Sequence, residues 1–318
     1  MLENTVTPAP VKRIASIDQL RGYAIFGMIL VNYLGVFSRM PEAFKHHRAL
    51  DDWPPFGFTY ADSIAPLFIF VVGMGFRLSF QRHVNSLGLW KARRAAIKRN
   101  SILILIGYFV YGMEFQWIWD ALVDIGFAGL LALPFIHRSK GTLLVAAVGY
   151  LILFQFLFMS THFWNSWIHF LMFFPDLGEW VRWPGMMDFN TYGDWLMSKS
   201  IDGGPFGPLS WVFPLLLGSV AYDIMKSENQ KNKVVQCIAW GIGLFVLGWV
   251  FRLEWGSFKS AWYHTQYGMT PPYTIASTGL CFLCLLYFQY VADIKGIIFQ
   301  PLSILGKNAL AINIFQLV

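Results

Sequence analysis

The chain has 318 residues, of which 56% are hydrophobic and only 13% charged, with a formal net charge of +6. A soluble domain carries roughly 25% charged residues. A water-soluble globular fold is therefore excluded, and an all-α polytopic membrane protein is predicted. The positive charge requires no nucleic acid, because it is gathered into a few loops.

With about 20 apolar residues per crossing, the sequence predicts a bundle of about nine transmembrane helices. They fall near 20–38, 60–80, 99–116, 118–136, 141–160, 208–225, 234–252, 273–292 and 297–318. Lys12 and Arg13 precede the first span with no visible cleavage site, so it is expected to stay in the mature protein. The third and fourth spans almost touch, which predicts a tight helical hairpin. The last is interrupted by Pro301 and Gly306 and reaches Val318 without a polar flank. The whole reads as a single transmembrane domain over 1–318, with an outer-side insertion over about 161–207.

Lysine and arginine mark the loops that stay inside. Residues 77–99 hold Arg77, Arg82, Lys91, Arg93, Arg94, Lys98 and Arg99. Alternation from there puts the N-terminus, 137–140, 226–233 and 293–295 on the cytoplasmic side of a cell inner membrane. Loops 39–59, 161–207 and 253–272 face outward. The 161–207 loop carries Asp176, Glu179, Asp188 and Asp194 beside Trp164, Trp167, Trp180 and Trp183. Its apolar piece, 163–175, is expected to lie along the interface or re-enter the membrane. Such a loop is either functional or an interfacial cap.

Ionisable and polar groups within or beside spans are the candidate site residues, because burying them in lipid is costly. Asp62 stands two residues into the second span and one turn before Pro66, whose missing N–H frees a backbone carbonyl at that depth. His46 and His47 lie fifteen or sixteen residues earlier on the same outer side. An aspartate beside a histidine fixes its tautomer and leaves the other ring nitrogen as a general base. The plainer alternative is that Asp62 caps the helix and the histidines sit at the interface. Asp18 and Arg21 are spaced to pair at the entry of the first span. They either set its entry angle or offer Arg21 to an anionic cytoplasmic substrate.

Asn32 is either glue between helices or a site residue. Asp120 and Asp124 share a helix face near the outer end of the fourth span. They could hold a cation or act as acid and base, with Asp124 the deeper. Cys237, Cys281 and Cys284 lie in apolar runs and read as packing residues, as do the glycines at 73, 75, 241 and 243. No zinc-type spacing, phosphate-binding glycine loop or serine elbow is present, so no metal is predicted.

The segments Arg13-Ile-Ala-Ser-Ile-Asp-Gln-Leu-Arg-Gly22 and Met28-Ile-Leu-Val-Asn-Tyr33 resemble the heparan-alpha-glucosaminide N-acetyltransferase family of membrane acyltransferases. The likeness resumes at His47 with Trp53, at Gly57-Phe-Thr-Tyr-Ala-Asp62 and at Pro66-Leu-Phe-Ile-Phe-Val-Val-Gly73. Weaker echoes occur at Gly203–Leu217, Thr270-Pro-Pro-Tyr273, Thr278-Gly279 and Gly306-Lys-Asn-Ala309. The resemblance implies transfer of an acyl group from cytoplasmic acetyl-CoA to a glycan amine or hydroxyl on the outer side.

Carried over, it implies His47 as catalytic base or transient acyl carrier and Asp62 as its partner. It also implies Asn32, Trp53 and Asn308 as acceptor-site residues, beside which Asp124 is set by its depth in the fourth span. The donor's phosphates need cations, for which Arg21 and Arg77 are candidates. Arg48 to Asp52 separate His47 from Trp53, a departure from the family pattern, so His46 stands as the alternative base. Family members usually continue through further spans past the point where this sequence stops. The implied partners are the bilayer, acyl-CoA and a glycan or glycolipid, and a homodimer is compatible with the sequence. The rival readings are a proton-coupled transporter or exporter and a non-catalytic scaffold of an envelope-polysaccharide system.

Overall fold

The computed structural model describes residues 14–34, 37, 39–45, 58–114, 121–160, 206–251, 269–309 and 312. Among them lie nine α-helices and no strand. In chain order these are α1 (Ala15–Leu34), α2 (Tyr60–Leu87), α3 (Leu89–Glu114), α4 (Ala121–Ala132), α5 (Lys140–Ser160), α6 (Gly207–Met225), α7 (Gln230–Phe251), α8 (Pro271–Phe288) and α9 (Gln300–Lys307). A short 3₁₀ turn, Glu42–Phe44, precedes α2, and α8 runs on into a π-helical turn, Gln289–Ile294. Each apolar segment read from the sequence overlaps one of these helices, although of 297–318 only residues up to 309 and residue 312 are described. His46, His47, Trp53, Asp120 and residues 161–205 of the outer loop lie outside the described residues.

Five of these helices, α2, α5, α6, α7 and α8 with its π turn, are long and apolar enough to cross a membrane. The others are either charged or short. α1 carries Asp18 and Arg21, and α3 begins ten residues earlier than its apolar run, at Leu89. The helix continues through Lys91–Arg99 because long, straight-chained cations are good helix formers whose heads reach water. The twelve residues of α4 span about 18 Å and the eight of α9 about 12 Å, less than the ~30 Å hydrocarbon core.

Pro301 does not interrupt the last helix, as the sequence suggested. It lies in the first turn of α9, where its absent N–H is one of the helix's unpaired donors anyway.

Burial separates the helices into an interior and a rim. In the most apolar stretch of α6, 89% of residues are buried, against 67% in α2, 61% in α8 and only 28% and 22% in α5 and α7. α2 packs along α6, with the α3–α4 hairpin against both and α5 on α6. α7 pairs with α8, and α9 pairs with α1. Glycine lets the central pair meet backbone to backbone. A side chain at Gly73 would collide with the Leu215 carbonyl, and one at Gly218 with the Phe70 carbonyl. The Ser219 hydroxyl donates to the Gly73 carbonyl across the same crossing (3.0 Å), a small-residue interface of the kind that joins helices in lipid.

The loops sort to two ends. At one end Arg77 reaches from α2 to Asp223 of α6 (2.8 Å) and donates to the carbonyls of Ile136 and Arg138. At that end Asp293 accepts from the Ser16 backbone N–H (3.1 Å) and from its hydroxyl, placing a carboxylate on the α1 N-terminus. Gln19 docks the head of α9 through both amide atoms, donating to Phe299 O (3.0 Å) and accepting from Phe299 N–H (3.2 Å). These are the loops that the lysine and arginine distribution puts together. Lys45, Thr59, Met269 and the heads of α2, α6 and α8 gather at the opposite end.

Candidate functional site

The head of α2 is a capping box. Thr59 is the N-cap, and its N–H donates to Asp62 Oδ2 (3.0 Å) while the Asp62 N–H donates to the Thr59 hydroxyl (3.4 Å). The spacing Thr-x-x-Asp produces this because N3 is the position whose side chain reaches back to the cap. Asp62 is 3% exposed, so its carboxylate is held by backbone and hydroxyl donors in a dry setting. The Thr59 hydroxyl faces two acceptors at once, Lys45 O at 2.8 Å and Asp62 Oδ2 at 3.0 Å. It thereby ties the backbone just before His46 to the aspartate.

Pro66 has the consequence its position implies. With no N–H at Pro66, the Asp62 carbonyl lacks its helical donor, and the Tyr273 hydroxyl of α8 supplies one (2.6 Å). Tyr273 also packs on Phe58, with ring centroids 6.1 Å apart. The head of α8 is fixed in turn by the Ser210 hydroxyl, which lies 2.7 Å from Met269 O and 2.8 Å from the Thr274 hydroxyl. Asp62 thus sits where three helix heads, α2, α6 and α8, are hydrogen-bonded into one platform.

Below the cap a cavity of about 330 Å³ opens between α1, α2 and α8. Thr59, Tyr60 and Ser63 form its polar wall, and Tyr23, Leu67, Cys281 and Cys284 lie farther in. The hydroxyls of Tyr23 and Tyr60 are hydrogen-bonded to each other, and Tyr60 OH lies over Gly27. From Thr59 to Leu67 the α2 wall descends about 12 Å. Thr59 belongs to both the cavity and the capping box, so the cavity's outer mouth adjoins Asp62.

The remaining candidates are dispersed. Asn32 is exposed in the last turn of α1, and Asn308 is exposed at the end of α9, its side chain donating to Ile304 O (3.0 Å). Asp124 is fully buried in the first turn of α4, away from the walls of this cavity. Arg21 pairs with Asp18 (3.9 Å) as its spacing predicted, and lies across Gly75 of α2 at the end opposite the cap. Arg77 is taken up by Asp223 and two carbonyls, so its geometry is that of a staple between helices. Cys237, Cys281 and Cys284 are free thiols. Gly73 and Gly241 are close-packing positions as read, whereas nothing approaches Gly243.

Tyr273, Ser210, Tyr23 and Gln19 were not singled out. Each is a polar residue visible in the sequence, but its partners lie on distant parts of the chain. Among the described residues no group of three His, Cys, Asp or Glu side chains is placed to hold a metal.

The family model for "Heparan-alpha-glucosaminide N-acetyltransferase, catalytic" matches residues 13–248. The "Uncharacterized protein YxaH" of Bacillus subtilis (strain 168) is 31% identical over 171 residues, 49% of this chain and 40% of that protein. An "Uncharacterized 39.9 kDa protein in amylase 3'region" of Bacillus acidopullulyticus is 32% identical over 130 residues, 41% of this chain and 36% of that protein. The matched region spans less than half the length of either relative.

Proposed function

The chain belongs to the heparan-alpha-glucosaminide N-acetyltransferase catalytic family, and from that membership we propose that it moves an acetyl or other short acyl group across an inner membrane. Membership implies a membrane transferase of the acyltransferase type. The finer reading is ours: cytoplasmic acyl-CoA as donor, and a glycan amine or hydroxyl on the outer side as acceptor. The chain forms one transmembrane domain, with its N-terminus in the cytoplasm. His47, with His46 as alternative, removes the acceptor's proton, and Asp62 orients the imidazole.

The observation that carries this reading is the Thr59 hydroxyl, placed between Lys45 O and the Asp62 carboxylate. Lys45 is one residue before His46 and two before His47. The cavity leading inward from Thr59 gives an acyl group and an acceptor a place to meet, with the Tyr23 and Tyr60 hydroxyls on its wall to face a developing oxyanion. At the opposite end, Arg21 and the exposed Arg82, Lys91, Arg94 and Lys98 suit the phosphates of a CoA thioester. The thioester supplies an activated acyl carbon. What this chain supplies is the base, its positioning carboxylate, and a site shielded from water.

The test is acetyl transfer from labelled acetyl-CoA to methyl glucosaminide by protein in nanodiscs. His47→Ala is expected to lower turnover at least about 100-fold, the size of a lost general base, with the protein still monodisperse. Loss in His46→Ala alone moves the assignment to His46. Unchanged transfer in both variants overturns the histidine mechanism.

A further inference from the structure

A second cavity, of about 410 Å³, lies between α5, α6 and α7 on the lipid-facing side. Its wall is almost wholly apolar: Leu144, Val148 and Leu151 from α5, and Leu244 and Leu247 from α7. The exception is Gln155. Both polar atoms of its side-chain amide are buried, and among the described residues neither has a hydrogen-bond partner. A buried amide left unpaired is costly, and in a lipid-facing groove it marks a place for a ligand with a polar group at that depth.

Gln155 lies five residues before the end of α5, about 7.5 Å inside it. The apolar part runs eleven residues back to Leu144, about 16 Å, the length of an extended dodecyl chain. The groove therefore matches a lipid with its tail inward and its first polar group near the outer surface.

Its outer end adjoins the Asp62 platform. Pro271 and Ile275 line the groove. Tyr273, about 200° around the same helix from either, reaches the Asp62 carbonyl. One helix width, about 10 Å, separates the groove's mouth from the capped carboxylate. Resting on the acyltransferase reading above, we infer that the acceptor is a membrane-anchored glycolipid whose tail occupies this groove, so that its sugar emerges beside Asp62.

The experiment uses the full chain in nanodiscs and a dodecyl glucosaminide carrying a diazirine at the end of its tail. Irradiation is expected to label the Leu144 end of α5 and the facing turns of α7. Unlabelled dodecyl glucosaminide should compete, and methyl glucosaminide should not. Leu244→Trp, which fills the groove, is expected to reduce labelling about tenfold, and Val148→Phe is the second variant should the first misfold. Gln155→Leu, which keeps the volume and removes the amide, is expected to weaken labelling about fivefold. In wild-type protein KM for the dodecyl glycoside should lie about 100-fold below that for the methyl glycoside, the size of roughly three methylenes of net burial, and that ratio should collapse in Leu244→Trp.

Labelling elsewhere, or equal competition by phosphatidylcholine, overturns the groove as an acceptor site. Equal transfer to both glycosides with no groove labelling overturns it while leaving the enzyme reading intact. Groove labelling with no transfer to any acceptor overturns the enzyme reading, and with it the acceptor role.

Discussion

At the scale of single residues, Asp62 has one observed role and one proposed, and a single substitution separates them. As N3 of the capping box it needs an acceptor oxygen toward Thr59 N–H; as a partner for an imidazolium it needs a negative charge. Asp62→Asn keeps the acceptor and removes the charge. We expect it to cost about 1 kcal/mol or less of stability, read from thermal unfolding in detergent, while acyl transfer falls by about 100-fold or more. If transfer survives, Asp62 is a cap and nothing else. The capping role was legible in the sequence, because Thr59, Asp62 and Pro66 are close neighbours and their chemistry is local. Tyr273 was visible only as part of a weak echo. Its use depends on a hydrogen bond to a residue 211 positions away, which spacing along one helix does not reveal. Gln19 escaped notice for the same reason, since its partner is Phe299.

At the scale of helices, the α2–α6 crossing sets the distance at which everything else is placed. Gly73 and Gly218 each stand against a carbonyl of the facing helix, so any side chain there forces the two axes apart. Gly73→Leu is expected to destabilise the protein by about 1–3 kcal/mol or more, the usual range for overpacking. A melt of detergent-solubilised protein would show it, together with loss of transfer even though residue 73 touches no part of the cavity. A melting temperature within a degree of wild type would mean that the crossing tolerates separation. Apolar runs gave the helices themselves away, because crossing a bilayer demands them. Their ends were less legible. The start of α3 lies in a stretch whose charges stop the hydropathy signal without stopping the helix, and Pro301 begins α9 although proline more often ends a helix.

For the whole molecule, the informative contrast lies between the two ends of the bundle. One is stapled by Arg77 with Asp223, by Ser16 with Asp293, and by Gln19 with the head of α9. The Arg77–Asp223 pair is largely buried, with 7% and 13% of the side chains exposed. Removing one member leaves the other charge without its counter-ion, so Asp223→Ala is expected to cost about 3 kcal/mol or more, measured by unfolding midpoint. The double change Arg77→Met with Asp223→Leu should recover part of that loss, whereas a pair engaged in donor binding would leave the double variant stable and inactive. The lysine and arginine distribution foresaw which loops share an end, but not that Arg77 is occupied there. That occupancy depends on the carbonyls of the turn after α4, which no local pattern announces.

The Thr59 hydroxyl has a single hydrogen and two oxygens asking for it. While that hydrogen goes to Lys45 O, the Asp62 carboxylate is held by the Thr59 backbone N–H without the hydroxyl. Thr59 thus works as a clasp, keeping the backbone at Lys45 and the carboxylate at Asp62 within reach of one hydroxyl.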